Sequence, residues 1–258
     1  MHYRTFGRIL RASANIDYYR ALVHAMRSFD RPWPLIMQYL GLRDARYPLR
    51  TSANIDARRA SFNLYCPDDV VTAIECFGKL DYAAGTGDRC IVDFGSNIGI
   101  SALYFLLAAP NSRVHAFEPD PRNVARLREN LRGFEDRYVL SVAALGAVAG
   151  RGRFGREPTG RYGGLGLESG DVIDVEVLDA NAVLAAILER ESRIDLLKID
   201  IEGQEAAVLK ALTPGVLDRI DRIAVEIAGT APVLSGFSCR RHGGVVTYLR
   251  LAARDGRH

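Results

Sequence analysis

Three acidic residues each close a short apolar run: Asp93 after CIV, Glu118 after RVHAF and Asp200 after LLKI. Acids at the ends of neighbouring parallel strands converge on the carboxyl edge of a sheet, where α/β proteins bind their ligands. A carboxylate there can accept hydrogen bonds from a ribose diol, balance a cation, or take a proton from an alcohol. The turn after Asp93 narrows the choice. It reads FGSNIG, with Gly95 and Gly99 bracketing Ser96 and Asn97, and opens into an apolar run from Ile98 to Ala109 that reads as a buried helix. Strand, glycine turn and helix start let a ligand approach the backbone closely and meet free amides. This is the pattern of a nucleotide-type pocket.

The turn departs from the dinucleotide fingerprint, which holds a pyrophosphate on bare amides. Its middle position is Asn97, which tolerates a left-handed backbone, and a carboxylate stands before it. Asp93 suits a ligand with positive charge, and S-adenosylmethionine carries an ammonium and a sulfonium. Glu118 follows the glycine turn at about the distance expected of an acid that holds a ribose. Ala143 and Ala144 near the end of the next strand offer small side chains beside which an adenine could lie flat, or ordinary strand packing.

Asp200, with Glu202 two residues on, is the candidate for the chemical step: it would accept the proton of an acceptor hydroxyl or orient it. A carboxylate is a weak base for an alcohol, so the proton would leave late. A divalent cation held by Asp200 and Glu202 is a variant that is not favoured, because no third ligand is evident. His115 lies inside a strand and reads as structural; His242, in a terminal turn, lies nearer to where a substrate would enter. The segment 150–170 carries eight glycines and four arginines. It reads as a mobile or tightly turned loop, and Arg161 and Tyr162 in its middle are candidate substrate contacts on a lid, or part of a solvated hairpin tip.

The positioning elements can be read in order. Residues 1–45 show helical spacing at Tyr18, Tyr19, Leu22, Val23 and Met26 until Pro32 and Pro34. This extension would cover one side of a second unit, 46–258, or form a homodimer contact. Strands are expected at 47–50 and 59–65 around a polar turn at 52–56, then a helix starting at Pro67, Asp68 and Asp69. That helix leads towards the glycine turn, so Asp69, Glu75 and Tyr82 could reach the pocket, or the segment is a capped surface helix. PDPRNVARLRENL reads as an amphipathic helix, 138–145 as a strand, 171–178 as a strand, 180–190 as a helix and 222–227 as a fifth main strand. Glu226 is unusual inside that strand, because a charge among apolar neighbours is costly unless paired or solvated. A terminal hairpin is expected at 236–240 and 245–252, turning at Gly243 and Gly244.

At 258 residues the chain can bury a substantial core. Its 34 basic and 31 acidic residues leave a net charge of +3, too little to argue for nucleic acid. Cys66, Cys76, Cys90 and Cys239 show no C-x-x-C spacing and imply neither a zinc site nor a disulfide framework. The start, MHYRTFGRIL, lacks a long apolar core and a cleavage site, and the longest apolar run is too short for a bilayer, so a cytoplasmic protein is expected.

The runs VDFGSNIGISALYF, VHAFEPDPRNVARLRENL and LLKIDIEGQEAAVL, in that order, closely resemble the FkbM family of S-adenosylmethionine-dependent methyltransferases. DDVVTAIECFGKLDY and the GRYGG loop extend the resemblance to roughly residues 45–228. It implies a class I methyltransferase fold: α/β, with a Rossmann-like, seven-stranded, mostly parallel sheet ending in an antiparallel hairpin. Carried over by motif, Asp93, Gly95, Ser96, Asn97 and Gly99 would surround the methionine part of the cofactor. Glu118 would hold the ribose, with Pro119, Ala144 and Asp200 as further cofactor contacts. The acceptor would be a hydroxylated small molecule such as a sugar or secondary metabolite, methylated on oxygen, with neither nucleic acid nor membrane as a partner. Methylation on nitrogen, an NAD-dependent oxidoreductase and a non-catalytic cofactor-binding protein are the alternatives. An oxidoreductase would need phosphate-friendly glycines where this chain has Asn97 and Asp93.

Overall fold

The structure is a computed structural model that describes residues 16–157, 163–167 and 171–251. Short apolar runs build its central sheet. Strands β1 (Leu49–Ile55) and β2 (Arg58–Leu64) form a separate hairpin; β3 (Cys90–Phe94), β4 (Arg113–Phe117), β5 (Tyr138–Ser141), β10 (Leu196–Ile199), β11 (Arg222–Glu226), β12 (Phe237–His242) and β13 (Val245–Arg250) form the seven-stranded sheet. Its order is β12-β13-β11-β10-β3-β4-β5. The strands from β11 to β5 are parallel neighbours, while β13 runs antiparallel to both β11 and β12. Chain order reverses between β3 and β10. Such a switch point opens a crevice at the carboxyl ends of the two strands.

The central strands β3 and β10 are buried on both faces, which is why they read as mostly apolar runs. Ile91 and Leu196 enter one core, while their neighbours Val92 and Leu197 enter the other. The first core is closed by the helix α4 (Ile100–Ala108), buried on all sides, and by α3 (Pro67–Ile74) with the π-helical turn Glu75–Lys79 that continues it. Helices α1 (Ile16–Ser28) and α2 (Pro32–Tyr39) pack onto this layer, where Ala25, Phe29 and Leu35 join the core and the Phe29 and Phe77 rings lie 5.5 Å apart. Opposite them, α6 (Ala180–Leu188), α7 (Glu205–Ala211) and α8 (Pro214–Leu217) close the second core. The amphipathic helix α5 (Pro121–Asn130) starts on Asp120, whose side chain accepts a hydrogen bond from the Arg122 amide.

Several expected elements differ. Ser52 to Ile55 belong to β1, and the reversal falls on Asp56 and Ala57, both with positive φ. The stretch expected as one strand over 138–145 is two: β5 ends at Ser141, and β6 (Ala144–Gly146) enters a second sheet, of order β6-β9-β7-β8. The glycine-rich segment expected as a loop supplies β7 (Gly150–Arg156) and β8 (Gly163–Leu165) of that sheet, beside β9 (Asp171–Asp179). Some of its glycines answer crowding: a Cβ on Gly155 would stand 2.3 Å from the Leu167 carbonyl oxygen, and one on Gly163 would stand 2.4 Å from the Phe154 ring. Arg161 and Tyr162 lie outside the described residues. Among those described, no helix is long and apolar enough to cross a membrane.

Candidate active site

At the switch point the structure opens a cavity of about 390 Å³. Gly95, Ser96 and Asn97 form its floor. The Gly95 and Ser96 amides donate to the Phe117 carbonyl at 3.1 and 2.9 Å, which ties the turn to the end of β4. Gly95 and Asn97 have φ of +80° and +48°, so the glycine and the asparagine meet the left-handed backbone that the sequence requires. Gly95 has a second reason to lack a side chain, since a Cβ would fall 1.8 Å from the Asp200 carbonyl oxygen. The close approach lets the loops after β3 and β10 share one crevice.

Glu118 lines the cavity and is 5% exposed. Its Oε2 accepts from the Asn97 amide at 3.0 Å, and its Oε1 from the Asp120 amide at 2.9 Å and Asn123 Nδ2 at 3.4 Å. Burial pushes its carboxyl up to about 7 against the pull of these hydrogen bonds. Pro119 lies beside it. Ala143, Ala144 and Leu145 make an apolar wall that the second sheet extends with Phe154 and Leu165. Phe154 and Leu165 escaped the sequence reading because a glycine-dense segment hides its strand alternation.

Asp93 does not line the cavity. It is the penultimate residue of β3, fully buried, and its register partner on β10 is Lys198. The Lys198 ammonium, itself 2% exposed, stands 3.0 Å from Asp93 Oδ1 and 3.5 Å from Asp200 Oδ2, and donates to the Gly95 carbonyl at 2.9 Å. Ser101 Oγ donates to Asp93 Oδ2 at 2.6 Å. The expected cofactor-facing charge is therefore consumed within the sheet. Burial pulls the Lys198 ammonium down, but Asp93 and Asp200 outweigh it and hold it above the ordinary lysine value. A lysine between Leu197 and Ile199 was the signal for this pair, of the same kind as Glu226 in β11. Gly99 also lies off the cavity: it precedes α4 with φ +85°, and a Cβ there would stand 3.0 Å from the Leu127 side chain.

Asp200 and Glu202 face the cavity from the loop after β10. Glu202 and Gly203 have positive φ, and the Glu205 carboxylate clamps the loop by accepting from the Ile201 and Gly203 amides at 3.0 and 2.9 Å. Across the cavity stand Asp69, Glu75 and Tyr82. Glu226 ends β11 on the cavity rather than inside the strand, and its Oε2 accepts from the Tyr82 hydroxyl at 3.3 Å. His115 is half-buried, and burial and Arg113 lower its pKa, as suits a structural histidine. His242 meets Asp81 at 3.2 Å, off the cavity lining. Among the described residues, no three His, Cys, Asp or Glu side chains converge as metal ligands.

An open α/β sheet with a glycine turn, a buried carboxylate and an apolar wall at its switch point has the layout in which such sheets bind nucleotide-type ligands. The chain belongs to the methyltransferase FkbM domain family, which it matches over residues 93–251. It is 30% identical over 219 residues to the AMB antimetabolite synthetase AmbE of Pseudomonas aeruginosa, a match to 66% of this chain and 10% of that protein. The 31-O-demethyl-FK506 methyltransferase FkbM of Streptomyces tacrolimicus is 27% identical over 207 residues, covering 69% of this chain and 78% of the relative. The 2-O-methyltransferase NoeI of Sinorhizobium fredii is 44% identical over 64 residues, 25% of this chain and 26% of that protein. The chain thus spans a tenth of AmbE and about a quarter of NoeI.

Proposed function

We propose that the chain transfers a methyl group from S-adenosylmethionine to a hydroxyl oxygen of a small hydroxylated metabolite such as a sugar. One observation carries this reading: Glu118, the glycine turn and the apolar wall of Ala144 and Phe154 border one cavity that Asp200, Glu202 and Glu226 also line. The residues fit the cofactor. Glu118 is held in place by the Asn97 and Asp120 amides, ready to take a ribose diol. Ala143, Ala144, Leu145 and Phe154 suit an adenine face, and the turn Gly95–Ser96–Asn97 the methionine part. The bound cofactor would supply an electrophilic methyl group. Relatives named for O-methylation, the FkbM and NoeI proteins, support oxygen as the target.

The chain's own part is to align and to manage the proton. Asp200 receives the acceptor hydroxyl and orients it, with Glu202 beside it on the same rigid loop. Lys198 fixes Asp200 from below. The first test is a thermal-shift comparison. S-adenosylhomocysteine at about a hundred times its dissociation constant should stabilise the protein by about 2.7 kcal/mol, and NAD should not. Stabilisation by NAD alone overturns the reading. With an acceptor found among hydroxylated sugars and polyols, Asp200→Asn should lower turnover by about two orders of magnitude while S-adenosylhomocysteine affinity changes by less than about threefold. An unchanged rate removes Asp200 from the chemistry.

A further inference from the structure

Asp200 is poorly placed to take the acceptor's proton. Its Oδ2 is already committed to the buried Lys198 ammonium, 3.5 Å away, which it shares with Asp93. The next parallel strand offers a second carboxylate at the same edge. Glu226 ends β11 and lines the cavity. Its Oε2 is occupied by the Tyr82 hydroxyl, whereas Oε1 takes no hydrogen bond among the described residues. Oε1 lies near Gly244 of the hairpin turn, where a Cβ would stand 3.5 Å away, and Gly244 lines the same cavity.

We propose that Glu226, steadied by Tyr82, is the proton acceptor for the methyl-accepting hydroxyl, while Asp200 only orients that hydroxyl. This rests on the methyl-transfer reading above. In the step, the acceptor O–H bond breaks and its proton moves to Glu226 Oε1. The oxygen forms the new bond to the methyl carbon, and the electrons of the sulfur–methyl bond return to sulfur. Protonated Glu226 then releases the proton to solvent, and charge and atoms balance.

The surroundings match this role. Groups from four segments face Glu226: Glu75 from the π-helical turn, Tyr82 beyond it, Lys198 from β10 and Asp200 from the loop after β10. Loss of water around the head group, then the Asp200 and Glu75 carboxylates, push Glu226 up to about 7, although the residue stays exposed on its open side. Lys198 and the Tyr82 hydroxyl pull the other way. Tyr82 is itself raised well above the usual phenol value by burial and by Asp200 and Glu226, so it remains a neutral donor. A base whose affinity for protons lies near neutrality is the more effective one at neutral pH.

The experiment has two readouts on the full chain. Carboxyl carbon shifts of 13C-glutamate-labelled protein, saturated with S-adenosylhomocysteine, are followed from pH 5 to 9. One carboxyl with a midpoint near 7 should vanish in Glu226→Gln, and S-adenosylhomocysteine affinity should change by less than about twofold, which also shows that the variant folds. Methyl transfer to any acceptor found in the sugar and polyol panel should rise with pH through about 7. Glu226→Gln should lower it by about a hundredfold or more and flatten that rise, and Asp200→Asn should keep the rise. A Glu226 midpoint near the ordinary glutamate value overturns the proposal, and so does a Glu226→Gln enzyme that keeps the pH rise. If no acceptor in the panel is methylated, the titration decides alone. If S-adenosylhomocysteine does not bind the wild-type chain, the methyl-transfer reading falls first and this proposal with it.

Discussion

At the scale of single residues, the pair Asp93 and Lys198 has the largest stake in stability. Both are buried, and each is the other's nearest compensation. Removing one partner of such a pair strands an uncompensated charge and costs about 3–5 kcal/mol, more than the intact pair contributes over an apolar replacement. Lys198→Met should therefore lower unfolding free energy by about that amount in a denaturant titration, and Lys198→Met with Asp93→Asn should recover much of the loss. Equal stability of the single variant and the wild type would mean that the ammonium is dispensable. This pair also marks what a linear reading could see. Asp93, Glu118 and Asp200 were legible as acids closing strands, but which of them face the cavity depends on register. Asp93 stops one residue short of the strand end and meets Lys198 across β3 and β10. No spacing within either segment carries that fact.

At the scale of elements, the central sheet was legible and the second sheet was not. Apolar runs such as CIV, and LLKI apart from its lysine, announce strands buried on both faces, and glycine at the turns announces where they end. The segment 150–156 fails that test because Gly150, Gly152 and Gly155 interrupt its alternation. Gly152 and Gly155 face neighbours that come too close for a side chain, whereas Gly150 has open space. The Gly155 position is the most crowded of the three, with backbone rather than a yielding side chain in the way. Gly155→Ala should displace β7 from β8 and with it Phe154, weakening S-adenosylhomocysteine binding at least tenfold while the melting of the central sheet changes little. Calorimetric binding and circular dichroism melts would separate the two effects. A variant that binds as tightly as wild type would show that the second sheet does not shape the cofactor side. An ion-pair network also ties this sheet down: Arg156 meets Asp171 at 2.6 Å and Asp120 at 3.5 Å, and Arg122 meets Asp120 at 2.9 Å.

At the scale of the whole molecule, the cavity's two raised carboxyls link proton uptake to folding. Glu118 stands near 7 in the folded chain and near the ordinary glutamate value of about 4.3 when unfolded. Between these values the native state binds more protons than the unfolded state, so stability falls as pH rises through that window and levels off above it. Glu226, also near 7, adds in the same direction. Glu118→Gln should flatten part of this slope in urea titrations at pH 5, 6, 7 and 8. Binding has the opposite sign, because a ribose diol needs the ionised carboxylate as its acceptor. Affinity for S-adenosylhomocysteine should therefore drop as pH falls below about 7, and Glu118→Gln should bind weakly with little pH dependence. An affinity that strengthens on acidification would contradict the role given to Glu118.

Lys198 Nζ meets both the Gly95 carbonyl in the glycine turn and the Asp200 carboxylate in the loop after β10. One ammonium thus answers to both halves of the cavity, and whatever settles against the floor alters how firmly Asp200 is held. Coupling of this kind is reciprocal: each ligand changes the other's affinity by the same factor. On the methyl-transfer reading proposed above, cofactor and acceptor should therefore change each other's affinity by one common factor, which paired calorimetric titrations, each ligand with and without the other, would measure.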